Sequence, residues 1–127
     1  MYFDHEKLDV YQRALEALDL CDAIIEQIPT GRAHLEDQLD RAATSVVLNV
    51  AEGAGEFSPG EKRRFYRIAR RSATEAGAIL HIVQRRRHAD EQRTCEAREL
   101  LARVVAMLVR MTKTSQAERA RARARAR

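Results

Sequence analysis

The chain has 127 residues, of which 33% are charged and 5% aromatic, with two prolines, five glycines, two cysteines and a net charge of +4. This length fits one domain, and the composition suits a helical protein small enough to gain from burying surface in an oligomer. Cys21 and Cys95 lie far apart with no CxxC spacing, so nothing points to a disulfide framework. The opening MYFDHEKLDV is acidic and lacks the apolar core of a secretory signal. The longest apolar stretch, Leu100–Val109, contains Arg103 and falls well short of the ~20 residues a bilayer span needs. No membrane association is expected, and a reducing cytoplasm is the expected location.

The first helix is predicted over about Glu6 to Gln27. Leu8, Tyr11, Leu15, Leu18, Ile25 and Ile28 recur at bundle-seam spacing, and Pro29-Thr30-Gly31 stops the helix. Asp9, Glu16 and Asp19 cluster off that stripe, with Asp22 and Glu26 on its shoulder. Such acids form either a solvated face or a contact with basic residues of a neighbouring subunit.

The second helix is predicted over about Ala33–Glu52. At ~100° per residue, Leu35, Leu39, Ala42, Val46 and Val50 share one face. Gln38, Arg41, Ser45, Asn49 and Glu52 fall on a narrow strip beside it. Polar groups bordering an apolar stripe need partners. The strip is therefore read as a hydrogen-bonding seam between elements or subunits, with a solvated edge as the alternative. Gly53 and Gly55 suit a left-handed helix cap. They lack the full spacing of a phosphate loop, and no strand precedes them.

Ser58-Pro59-Gly60-Glu61 reads as a helix start with a capping box. The third helix then runs to about Arg87. Phe65, Ile68, Ala69, Ser72, Ala76, Ile79, Leu80 and Val83 form its predicted core face, and Arg63, Arg64, Arg67, Arg70, Arg71 and Arg85 lie opposite. At ~1.5 Å per residue this arginine stripe is about 33 Å long. Acids are nearly absent from it, so like charges repel along the helix, and the stripe is the candidate nucleic-acid-binding surface. The fourth helix runs from near Asp90 to about Thr112, with Ala97, Leu101, Val104, Leu108 and Met111 as its seam. The Arg/Ala-rich end, 114–127, is expected to be a frayed or disordered basic tail outside a bundle domain at 1–113.

Charge is distributed unevenly. Residues 1–59 hold four basic and twelve acidic residues, a net of −8, whereas 60–90 hold nine basic and three acidic, a net of +6. This split points to an anionic partner, to self-assembly between opposite faces, or to both. His5, His34, His81 and His88 form no metal-ligand spacing, and neither a GxSxG motif nor a catalytic-triad pattern is present. No catalytic residue, metal ligand or cofactor site is therefore assigned. Glu52 and Glu75 are the carboxylates beside apolar stripes. Their expected role is structural, pairing with Arg41 or accepting hydrogen bonds from Asn49 and Ser45.

One stretch carries a family pattern. QL-x-RAA-x-SV-x-x-N-x-AEG comprises Gln38, Leu39, Arg41, Ala42, Ala43, Ser45, Val46, Asn49, Ala51, Glu52 and Gly53. Phe65, Ala69, Ser72 and Glu75 continue it, and Leu8-Asp9-Val10-Tyr11-Gln12-Arg13-Ala14 precedes it. The pattern resembles the four-helix-bundle 23S rRNA-intervening-sequence proteins over roughly Leu8–Val83. It departs at Arg71, where the family often has glycine, and in the arginine-rich end. The resemblance implies a small all-α bacterial protein that assembles into a ring, a homopentamer, without enzyme activity. A group similar in fold, the accessory proteins of diversity-generating retroelements, binds nucleic acid and a reverse transcriptase. The expected fold is thus all-α, an antiparallel up-down-up-down four-helix bundle. The expected function is non-enzymatic binding of RNA or DNA through a basic helix face, with an adaptor oligomer for a protein partner as the alternative.

Overall fold

The computed structural model describes residues 3–113 and 116–126. Every regular element among them is helical: a 3-10 turn at Asp4–Lys7, then α1 (Asp9–Gln27), α2 (Ala33–Gly55), α3 (Pro59–Arg86), α4 (Glu91–Thr112) and α5 (Gln116–Ala126). Short connections at 28–32, 56–58 and 87–90 make successive helices antiparallel. α1 packs on α2 and α4, and α3 packs on the same two, which closes an up-down-up-down four-helix bundle. Of the basic tail, 116–126 form α5, whereas 114, 115 and 127 lie outside the described residues.

Local chemistry accounts for both ends of α3 and the start of α4. Ser58 Oγ accepts from the Glu61 N–H at 3.4 Å, and Pro59 occupies the first turn of α3. The Glu61 carboxylate does not complete the expected box, because it is engaged by Arg64 Nε at 3.1 Å. Asp90 caps α4, accepting from the Arg93 N–H at 2.9 Å. α3 ends in a Schellman arrangement, with the His88 N–H donating to the Val83 carbonyl and the Arg87 N–H to that of Gln84. Its left-handed residue is Arg87, at φ 56°, where glycine would be less strained.

Two expected helix ends are corrected. The first helix does not start at Glu6. Leu8 is extended (φ −76°, ψ 131°), so Asp4–Lys7 form a separate 3-10 turn in which the Glu6 carboxylate accepts from the Phe3 N–H. Nor do Gly53 and Gly55 cap α2 in a left-handed conformation, since the helix continues through both and Gly31 is the glycine at positive φ, 96°. Gly53 serves close packing instead. A Cβ placed there would meet the Tyr66 ring at 2.6 Å.

The core also turns two helices away from their expected orientation. In α1 the buried stripe is Val10, Ala14, Ala17, Cys21 and Ile24, while Tyr11, Leu15, Leu18 and Ile25 are only partly buried. The stripe is displaced by about 100°, one residue step on a helix. In α3 the core takes Tyr66 and Ala73 with Ala69, Ala76, Ile79, Leu80 and Val83, and leaves Phe65, Ile68 and Ser72 half-buried. The reason is shared. Alanines on these faces let the backbones approach, and Tyr11, Leu15, Leu18, Phe65 and Ile68 are left on the shoulders.

Gly53→Ala should destabilise the protein by about 1–3 kcal/mol, because Tyr66 is buried and cannot swing away. Gly55→Ala, with open space around its Cβ position, should be neutral or stabilising by up to ~1 kcal/mol. Urea denaturation of both variants checks the pair. Burial and the nearby Asp22 charge push the Cys21 thiol up to about 12. Native protein should therefore titrate one thiol, exposed Cys95, with a thiol reagent, and two after unfolding. The sign for stability follows. Unfolded Cys21 ionises near an ordinary pKa of ~8.5 while the folded form keeps its proton, so folding free energy should decline as pH rises above that value.

Candidate nucleic-acid interface

The predicted arginines all belong to α3, and the fold divides them into two groups. Arg63, Arg64, Arg67, Arg70 and Arg71 occupy its first half, and Arg85 its last turn beside Arg86 and Arg87. Arg67, Arg71 and Arg85 are exposed and Arg70 is half-buried. Among the described residues, none of these four side chains makes an ion pair or hydrogen bond. Arg64 differs, since it pairs with Glu61 and its guanidinium lies 4.5 Å from the centre of the Phe65 ring. A row of guanidiniums without acids holds a positive potential that phosphates can neutralise.

The fold adds a feature that sequence reasoning missed. Arg63 lines a cleft of about 430 Å³ together with Ser58, Pro59 and Gly60 at the start of α3 and Arg121, Ala122 and Arg125 of α5. Arg121 and Arg125 stand one helical turn apart and so share a side of α5. The tail thereby extends the basic surface of α3 instead of forming a separate one. The i, i+4 spacing of the two arginines was visible in the sequence, but their position beside Arg63 was not.

The polar strip of α2 contracts in the structure to Ser45 and Asn49, joined by Ser72 of α3. Ser45 Oγ meets Ser72 Oγ at 2.8 Å, and Asn49 Nδ2 donates to the Ser45 carbonyl at 2.9 Å and to Ser45 Oγ at 3.0 Å. This network ties α2 to α3 near mid-bundle. Gln38, Arg41, Glu52 and Glu75 are exposed and stand outside it. The expected pairing of Glu52 and Glu75 with Arg41, Asn49 or Ser45 does not form. Asn49 sits one turn from Ser45 and satisfies itself there, while Glu52 projects further round the helix toward solvent.

On the α1–α2 side the charge is reversed. Asp22 faces Asp40 across the helix pair, and its carboxyl is held above the usual carboxylate range by partial desolvation and by Asp40, Asp19 and Glu26. None of these four acids has a cationic partner among the described residues. Nor does that set contain a group of three or more side chains arranged to hold a metal ion. Among the described residues, no helix is long and apolar enough to cross a membrane. Several apolar side chains remain exposed: Phe57 at 99% in the α2–α3 turn, Leu48 at 58% on the crest of α2 and Ile82 at 41% on α3. None of the three stood out in the sequence, because Leu48 and Ile82 fit helical repeats as well as their buried neighbours do.

Comparison with solved structures finds the same fold in a crystal structure from Bacteroides thetaiotaomicron, described as a protein with unknown function from the S23 ribosomal protein family. The TM-score is 0.75 at 18% identity, over 83% of this chain and 99% of that one. No curated protein matches the chain. The family described as 23S rRNA-intervening sequence protein matches residues 6–110, a span that takes in all of α1 to α3 and nearly all of α4. The chain belongs to the 23S rRNA-intervening sequence protein family.

Proposed function

We propose that this protein is a non-enzymatic, oligomeric bundle of the cytoplasm that binds RNA or DNA through the basic face of α3. In this reading it is a ring of copies, a homopentamer, serving as accessory factor to a larger nucleic-acid enzyme such as a reverse transcriptase. One observation carries the proposal: Arg67, Arg70 and Arg71 stand together on one helix without acidic partners among the described residues. The cleft shared by Arg63, Arg121 and Arg125 supports it by lengthening the same surface. Binding of this kind reads phosphates and not bases, so it is insensitive to sequence and sensitive to salt. A ring would present several copies of the surface to one strand and raise avidity.

A second reading, an adaptor oligomer that binds a protein partner without touching nucleic acid, draws on a different observation. Phe57 is fully exposed in the α2–α3 turn, and Leu48 lies on the crest of the preceding helix. Exposed apolar side chains of this size are common at protein contacts.

Fluorescence-anisotropy titration against labelled RNA and duplex DNA at two salt concentrations separates the readings. The triple variant Arg67→Ala/Arg70→Ala/Arg71→Ala should weaken binding and flatten the dependence of log K on log salt by ~2–3, at ~0.7–0.9 per lost phosphate contact. A protein cut after Lys113 should keep salt-sensitive binding with a smaller slope. Unchanged affinity and slope in the triple variant would overturn the proposal, and absence of binding at low salt would favour the adaptor.

A further inference from the structure

We propose that the α1–α2 side of one copy docks onto the C-terminal half of α3 in a second copy, head to tail, as the contact that builds the oligomer. The inference deepens the assembly part of the proposed function and uses arginines other than the triad tested there.

The two surfaces complement each other in composition. On the first, Leu15 and Leu18 are partly buried side chains displaced from the core by alanines, and Asp19, Asp22, Glu26 and Asp40 surround them without cationic partners among the described residues. On the second, Ala78, His81, Ile82, Arg85 and Arg86 line a shallow depression of about 390 Å³, in which Ile82 is 41% exposed. Arg85 and Arg86 likewise lack acidic partners among the described residues. Leucines edged by acids thus meet an isoleucine edged by arginines. Within one chain each patch carries uncompensated like charge. Across the contact the charges become opposite, which favours this partner and its register over others.

The two patches also lie at one level of the bundle. Gln27 Oε1, at the end of α1, accepts from the Asp90 N–H just beyond the end of α3, at 2.7 Å. The last turns of α1 and α3 therefore sit at the same end. Asp19–Glu26 and Ile82–Arg86 both belong to that end, and Asp40 lies near the start of α2, which begins there. A contact between different patches on different sides of one molecule is heterologous, and it yields a closed ring when successive copies do not shift along the axis. Patches at equal height meet that condition with the bundles standing side by side.

Sedimentation analysis without nucleic acid tests the proposal on wild type and two exposed-residue variants, Asp22→Arg/Asp40→Arg and Arg85→Glu/Arg86→Glu. Wild type should be a defined oligomer at about 0.1 M salt and lose mass near 1 M, where the screening length falls from ~10 to ~3 Å. Each variant alone should sediment as the 14.5 kDa monomer. Mixed in equal amounts they should assemble beyond the monomer, because the intact arginine patch of the first meets the intact acidic patch of the second and the two reversed patches are complementary to each other. A chain carrying all four substitutions should assemble again, which shows that loss of mass in the pairs is not misfolding. Either variant retaining the wild-type mass would overturn the inference. So would a mixture that stays monomeric, or failure of the four-substitution chain to assemble. A monomeric wild type that still binds RNA would refute assembly while leaving the nucleic-acid reading intact.

Discussion

Everything in this bundle depends on how closely its helices approach, and small side chains set that distance. Ala14 and Ala17 of α1, Ala42 and Ala43 of α2, Ala69, Ala73 and Ala76 of α3 and Ala97 of α4 are all buried. Gly53 carries the principle furthest, because the Tyr66 ring occupies the space a Cβ would need. Alanine loses no rotamer freedom on burial and favours helix, so such a seam forms at low entropic cost. Close approach along these alanine stripes leaves Tyr11, Leu15 and Leu18 at the rims, while Ile24, Leu39, Leu80, Leu101 and Leu108 fill the core.

That geometry shapes the surface as much as the core. Tyr11, Leu15, Leu18 and Ile25 touch the core from its edge and keep part of their area exposed. Phe65 and Ile68 stand similarly on α3. A chain whose large apolar residues lie on shoulders has surface still to bury, and a small bundle gains most from burying it against another molecule. The charges are sorted along the same lines. Acids gather on the α1–α2 side and arginines on α3, and the ion pairs of Arg13 with Asp9 and Glu16 and of Arg64 with Glu61 stay within single helices. Exposed pairs of this sort add little to stability. The separation of sign between faces is better understood through what approaches the molecule than through what holds it together.

The arginines of α3 divide accordingly. Arg63, near its start, lines the cleft with α5, and those in its last turn adjoin exposed Ile82. Between them, residues 72–84 carry no arginine. One helix thus offers an arginine-rich surface at one end and, at the other, arginines beside an exposed isoleucine. Phosphate backbones need only charge and reach, whereas a protein partner needs apolar contact as well.

Much of this was legible in the sequence because it depends on near neighbours along the chain. Ser58 and Pro59 start α3, Pro29-Thr30-Gly31 ends α1, and Leu39, Val46 and Val50 mark the core face of α2. Four amphipathic segments with short connections imply the antiparallel bundle, and the Gln38–Gly53 pattern pointed to the family that the chain proves to belong to. The rotation of α1 and α3 was not legible. Hydropathy favours Leu15 and Leu18 over Ala14 and Ala17 as core residues, and only the approach of a second helix decides which stripe fits. Nor could local pattern show that Gly53 serves Tyr66, or that Arg121 and Arg125 reach Arg63. Those are contacts between residues distant in sequence, and spacing along a single helix carries no information about what packs across from it.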